Sequence, residues 1–179
     1  MQSPFEGRLI RLRAWEAEDE PSIFRWINDS EVTEYLNARY PFSHQQEREW
    51  LTRTGAAGYA NASFAVERRG DGLLIGSVSL RADAPENRAA TLGIMIGEKG
   101  CWDGGYGTDT MLTVCRFGFG QMNLHRIELE VFAEHARARH VYEKIGFQVE
   151  GVRRDAQYRR GRYRDLVVMG LLEGELRVE

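Results

Sequence analysis

The segment WDGGYGTD, residues 102–109, places Gly104, Gly105 and Gly107 directly before helix-compatible residues. Without a Cβ at those positions, another molecule can approach the backbone closely. A helix starting there leaves about four backbone N–H groups unpaired in its first turn, and its macrodipole adds roughly half a positive charge. Strand, glycine loop and helix in that order form an anion-binding design suited to a phosphate. A flexible turn that happens to precede a helix is the plain alternative. The segment does not read GxxxxGK[ST], and Thr110 stands where a GxGxxG fingerprint needs its third glycine.

Other reactive residue types are dispersed. His125 and His140 have no carboxylate or cysteine at ligand spacing, so no metal site is implied. Cys101 and Cys115 fit no disulfide framework and read as free thiols of a reducing compartment. Cys115 falls on a helix face turned to the core, whereas Cys101 borders the glycine loop, where it could sense oxidation. The run RRDAQYRRGRYRD (153–165) carries six arginines and two tyrosines, which could pair phosphates and stack on the bases of RNA. Yet the chain has only two lysines, Lys99 and Lys144, so arginine is its default cation and an exposed hairpin explains the run.

The elements around these residues follow from periodicity. RLIRLRA (8–14) alternates as a half-buried strand. Ile23, Phe24 and Ile27 fall at helical spacing, and Pro21 marks where that helix begins. EVTEYLNARYPF reads as a short helix and a loop. SHQQEREWLTR (43–53) opens on a capping-box pattern, Ser43 with Gln46. The interval 61–80 predicts a hairpin around GDG, RADAPEN a loop, and TLGIMIG (91–97) a strand. Met111, Val114, Cys115 and Gly118 recur at i, i+3, i+4 and i+7, the signature of a helix with one buried face. IELEVF (127–132) alternates as a strand. Ala138, Val141, Tyr142 and Ile145 repeat the helical spacing, so Tyr142 points inward, and Gly146 stops the helix. GFQVEGV and LVVMGLL close the chain as strands, with Arg160-Gly161 placed for a turn. The order predicts a mixed α/β chain, one layer of sheet with helices packed on it.

Bulk composition sets the frame. A chain of 179 residues suits one domain and a sizeable core. A net charge of −3 gives no global pull toward nucleic acid or an anionic membrane. MQSPFEGRLI lacks the basic start and apolar run of a signal peptide, and the apolar stretches fall far short of a bilayer span. A cytoplasmic protein is expected.

Taken together, TLGIMIG, WDGGYGTD and MLTVCRFGFGQMNLHRIELEVFAEHARARHVYEKIGFQVEGVRRD resemble the GNAT superfamily of N-acetyltransferases. The likeness is greatest to the branch of ribosomal-protein N-terminal acetyltransferases and spermidine acetyltransferase. It covers nearly the whole chain and is strongest over residues 73–172. It implies one GNAT-like domain over 1–179, with a central, mostly antiparallel, splayed sheet of six to seven strands flanked by helices. It also implies acetyl-CoA as cosubstrate. The family's Q/R-x-x-G-x-G/A loop maps onto Trp102-Asp103-Gly104-Gly105-Tyr106-Gly107, with Trp102 in place of the leading Gln or Arg. Backbone N–H groups from about Asp103 to Thr108 would hold the pyrophosphate. The family's cofactor strand maps onto Met95, Ile96 and Gly97, whose plain alternative is a core strand.

The family's N-x-x-A-x-x-x-Y-x-x-x-G-F pattern reads here as His135, Ala138, Tyr142, Gly146 and Phe147. In the family the tyrosine is the general acid for the departing thiolate, a role that suits a leaving group needing a proton or hydrogen bond. The alternative is a core tyrosine whose hydroxyl finds a structural partner. His135 replaces the usual Asn; it keeps one donor and one acceptor but is bulkier. A proton acceptor for the amine is not assigned: Glu98, Glu128 and Glu130 are carboxylates in the region, and Thr91 holds the family position. Asp29, Glu31 and Glu34 could greet a polycation or form a solvated face. The expectation is acetyl transfer to a primary amine, namely a protein N-terminus, a polyamine or an amino sugar. The rival is an acyl-CoA sensor without turnover. A homodimer follows from the family alone.

Overall fold

The computed structural model describes residues 3–55, 57–82 and 84–177. The expected 1–179 span and the loop RADAPEN therefore reach residues outside the described ones. In chain order the elements are β1 (Ile10–Arg13), α1 (Glu20–Ile27), α2 (His44–Thr54), β2 (Asn61–Arg68), β3 (Leu74–Arg81) and β4 (Ala89–Ile96). They continue as α3 (Tyr106–Gly120), β5 (Arg126–Phe132), α4 (Ala136–Ile145), β6 (Gln148–Arg159) and β7 (Arg162–Leu172).

Local chemistry accounts for most boundaries. Pro21 lies in the first turn of α1, where its missing N–H costs nothing. At α2, Ser43 Oγ accepts from Gln46 N–H at 3.2 Å while Gln46 Oε1 accepts from Ser43 N–H at 2.9 Å, the reciprocal cap predicted above. α3 buries Met111, Val114, Cys115 and Gly118 on one stripe. Between β6 and β7, Arg160 and Gly161 both have positive φ (49° and 80°), as a tight hairpin turn demands.

One segment departs from expectation. EVTEYLNARYPF holds no helix; successive turns form instead, with Thr33 N–H bonded to Asp29 O at 3.0 Å and Leu36 N–H to Thr33 O at 3.1 Å. Asp29 Oδ1 captures Glu31 N–H at 2.9 Å, a local bond that competes with helix propagation. Arg159 then takes the carbonyls of Leu36 and Thr33 at 2.6 and 3.0 Å, which a continuing helix would have needed.

The strands form one sheet in the order β1-β2-β3-β4-β5-β7-β6. Every neighbouring pair is antiparallel except β4 and β5. That parallel pairing covers only Ala89↔Arg126, Ala90↔Ile127 and Thr91↔Glu128, whereas β3 and β4 remain paired through Gly76↔Ile96. β4 and β5 therefore part company after Thr91, and the sheet opens there. Both faces are covered. Ala62, Phe64 and Val66 of β2 join the core under α3 with Met111, Val114 and Cys115. Ala65 joins a second core with Trp15, Ile23, Trp26 and Leu51. Covering both faces explains why β2 is buried over six consecutive residues instead of alternating.

Asp109 ties α3 to the start of the chain. Its carboxylate accepts from the N–H groups of Arg8, Leu9 and Ile10 at 3.0, 2.7 and 3.0 Å. A Cβ on Gly7 would lie 2.3 Å from Asp109 Oδ2, so only glycine permits the approach.

Candidate active site

The split between β4 and β5 is the floor of a cleft of about 1230 Å³. Two groups of residues line it. One comprises Ile96, Trp102, Asp103, Gly105, Gly107 and Thr108, together with His135 and Tyr142 from the α4 region. The other comprises Glu31, Glu34 and Tyr35 from the segment between α1 and α2, with Asn61, Ser79, Thr91, Glu128 and Glu130 from the sheet.

In the first group, the glycine loop wraps onto the N-terminus of α3. Gly105 caps the helix with φ +83°, a left-handed conformation that side chains resist, and Asp103 also has positive φ. The first helical bond runs from Asp109 N–H to Gly105 O at 3.0 Å. The N–H groups of Tyr106, Gly107 and Thr108 thus open the helix without helical acceptors and face an anion site. A Cβ on Gly107 would meet nothing nearer than Ile96 at 4.0 Å, so the approach is open. These features fit the pyrophosphate of a CoA ester.

Trp102 has a function here that its resemblance to the family pattern did not suggest. Its indole N–H donates to Ile96 O at 2.7 Å, pinning the loop to the end of β4. Arg137 lies 4.8 Å over the same ring and 3.5 Å from Asp103, adding a cation beside the loop. Sequence reasoning missed Arg137; its place two residues into α4, after the signature His135, was the available signal.

Strand alternation sorts the three cofactor-strand candidates. Gly97 N–H is bonded to Ile75 O on the β3 side at 2.9 Å. Backbone groups two residues away point the same way, so Met95 also bonds toward β3 while Ile94 and Ile96 point into the cleft. The Trp102 bond to Ile96 O agrees with that direction. A Cβ on Gly97 would strike the Trp26 ring at 2.1 Å, so this glycine is also a packing requirement.

Tyr142 is half-buried on α4, its ring 6.1 Å from that of Phe147. Burial pushes its phenol up to about 12. Its hydroxyl has no hydrogen-bond partner among the described residues and is open to the cleft. His135 stacks flat on Tyr35, with centroids 4.0 Å apart and an interplanar angle of 11°. Burial, reinforced by Arg137, lowers its imidazole to about 4, so the ring is neutral near pH 7. Tyr35 was not foreseen, because the stack joins residues 100 positions apart.

The carboxylates separate clearly. Glu128 and Glu130 lie on the cleft wall, whereas Glu98 does not line it and pairs with Arg25 at 2.7 Å. Cys101 lines the cleft but is buried, and burial raises its thiol pKa; Cys115 is fully buried in the core. The arginine run is not a free surface: Arg159, Arg160 and Arg164 are bonded to the segment between α1 and α2. Among the described residues no His, Cys, Asp and Glu cluster could hold a metal ion, and no helix is long and apolar enough to cross a membrane.

Residues 9–148 match the family model of the acetyltransferase (GNAT) domain. The chain is 31% identical to an uncharacterized N-acetyltransferase, YoaA, of Bacillus subtilis (strain 168), over 93% of this chain and 94% of that one. It is 28% identical to the spermidine N(1)-acetyltransferase of Escherichia coli (strain K12), over 95% and 89% of the two chains. The fold superposes with a TM-score of 0.85 on spermidine N-acetyltransferase from Vibrio cholerae in complex with CoA and spermine, at 28% identity over 93% and 97%.

Proposed function

Since the chain belongs to the GNAT family of acetyltransferases, we propose that its cleft divides into a cofactor end around the glycine loop and an acceptor end around Glu31, Glu34, Glu128 and Glu130. The protein is an enzyme that transfers an acetyl group from acetyl-CoA to an amine. Acetyl-CoA supplies an acyl group already activated as a thioester.

The backbone N–H groups of Asp103, Gly104, Gly105, Tyr106, Gly107 and Thr108 hold the pyrophosphate, with Arg137 as an auxiliary cation. The edge of β4 at Met95, Ile96 and Gly97 receives the pantetheine arm, with Ile96 N–H the group turned into the cleft. Such fixed N–H groups can also polarise a carbonyl without reorganising during the reaction. His135 closes the cofactor end in neutral form and carries the acceptor segment through Tyr35. Holding amine and thioester together supplies a large share of the rate enhancement.

Tyr142 assists the leaving group. An ordinary thiol ionises near 8.5, so full proton transfer from a phenol near 12 would be uphill by about 5 kcal/mol at the start. The raised value instead keeps Tyr142 a hydrogen-bond donor across the physiological range. It donates to the sulfur as negative charge develops there, and overall the proton lost by the amine ends on the CoA thiol. The observation that carries this reading is the Tyr142 hydroxyl, on the cleft, borne by a half-buried side chain and without a partner among the described residues.

The catalytic unit is the whole 1–179 span. The family match stops at residue 148, but β7 lies between β5 and β6 and completes the sheet beside the cleft. Two free, buried cysteines agree with a cytoplasmic setting, and a homodimer is the assembly expected, checked by sedimentation. A polyamine, a protein N-terminus and an amino sugar are the candidate acceptors; the first is the substrate named for the spermidine acetyltransferase relatives. CoA-thiol release across a panel of these amines, beside acetyl-CoA calorimetry, tests the whole reading. Turnover that survives Tyr142→Phe unchanged would remove Tyr142 from it.

A further inference from the structure

Asp29, Glu31 and Glu34 on the segment between α1 and α2, with Glu128 and Glu130 on β5, make the acceptor end look acidic by composition. Their charge is already committed. Lys99 Nζ lies 2.8 Å from Asp29 and 2.9 Å from Glu31. Glu34 takes Arg160 at 2.7 Å and Arg164 at 3.0 Å. Glu128 meets Arg126 at 3.0 Å, and Glu130 meets Arg153. Arg39 and Arg159 add positive charge while bonded to neutral acceptors, Gln157 and the carbonyls of Thr33 and Leu36. The outer carboxylates Glu134 and Glu150 are likewise met, by Arg162 and Arg164 and by Arg126, so each carboxylate of this set has a cation beside it.

Lys99 stands apart from the arginines. It is a primary ammonium on a flexible stem, it lies three residues past the end of β4, and it grips two carboxylates at once, as one end of a polyamine would. We propose that Lys99 is a specificity-determining residue. From within the chain it fills the pair formed by Asp29 and the cleft-lining Glu31, which would otherwise take the distal ammonium of a polyamine. The enzyme therefore acetylates amines that carry a single positive charge and turns away di- and tricationic ones. A polyamine entering the cleft must displace Lys99 and then lie beside it, so like-charge repulsion does the discriminating. This inference rests on the acceptor end lying where the proposed function puts it.

The test compares spermidine with a short neutral peptide amide bearing an N-terminal serine, in the wild type, Lys99→Met and Lys99→Arg. In the wild type the kcat/KM ratio favours the peptide. Lys99→Met shifts the ratio toward spermidine by about tenfold at roughly 50 mM salt, and the shift shrinks at roughly 0.5 M as screening sets in. Lys99→Arg keeps the wild-type ratio. Calorimetric binding of spermidine to the CoA-bound protein gives the same comparison without turnover, tighter in Lys99→Met than in the wild type. A wild type that prefers spermidine, or a ratio and affinity unmoved in Lys99→Met, overturns the proposal. The ratio cancels any contribution from Tyr142, so a Tyr142→Phe result bears on the earlier reading alone.

Discussion

At the proposed cofactor end of the cleft, the N–H groups of Tyr106, Gly107 and Thr108 open α3 without helical acceptors, and Trp102 fixes the loop to β4 through one bond to Ile96 O. At the acceptor end, the segment between α1 and α2 has no helix of its own. Arg159, Arg160 and Arg164 hold it from about 130 residues away, and Lys99 from about 70. The first site is local in sequence and made of backbone; the second is assembled from side chains over long range. A backbone site tolerates changes in residue type as long as φ and ψ are kept, and here the Trp102 side chain helps to keep them. A side-chain site changes its preference with single substitutions.

That contrast can be broken by experiment. The largest effect is expected at the junction of the two ends, where Tyr142→Phe lowers kcat about 100-fold in steady-state assays and leaves the acetyl-CoA Kd within about twofold. Arg164→Met comes next. It strips a buried cation from Glu34 and Glu134, costing about 2 kcal/mol in denaturant melts and raising the amine KM, while acetyl-CoA binding holds. Trp102→Phe should do the reverse: losing the bond to Ile96 O weakens acetyl-CoA about tenfold by calorimetry and spares the amine KM. If Trp102→Phe instead raised the amine KM, the two ends would be one coupled unit.

The smallest effect concerns pH. His135 is lowered to about 4 in the fold from an ordinary 6.5, so the unfolded chain takes up its proton first as pH falls. Stability contributed by the neutral ring is complete above about 6.5 and drains away as pH falls toward about 4. Because the side chain is half-exposed, about 1–2 kcal/mol is expected from this residue. Urea melts at pH 7 and pH 4.5 should show His135→Asn with a shallower pH dependence than the wild type.

The glycine loop, the capping box of α2, the buried stripe of α3 and the stop at Gly146 were all readable, because each depends on residues within one turn or one loop. The full length of β6 was not. Its twelve residues are mostly exposed at a sheet edge, so no apolar alternation marks them. The segment EVTEYLNARYPF misled for a related reason: its helix-like spacing is overridden by carbonyl bonds to Arg159 that no local pattern reveals. Among the site residues, Tyr142, His135 and the loop came from motif spacing, whereas Tyr35 and Arg137 emerged only with the fold.

By itself the sequence determined the glycine loop before α3, the order of the strands and of the longer helices, and the buried stripe of α3, since these follow from backbone chemistry and periodicity over short range. Tertiary structure decided where β4 leaves β5, which carboxylates face the cleft and which cations already neutralise them. The carboxylates between α1 and α2 are met by side chains 68 to 130 residues away, and charge in a site is set by what is near in space.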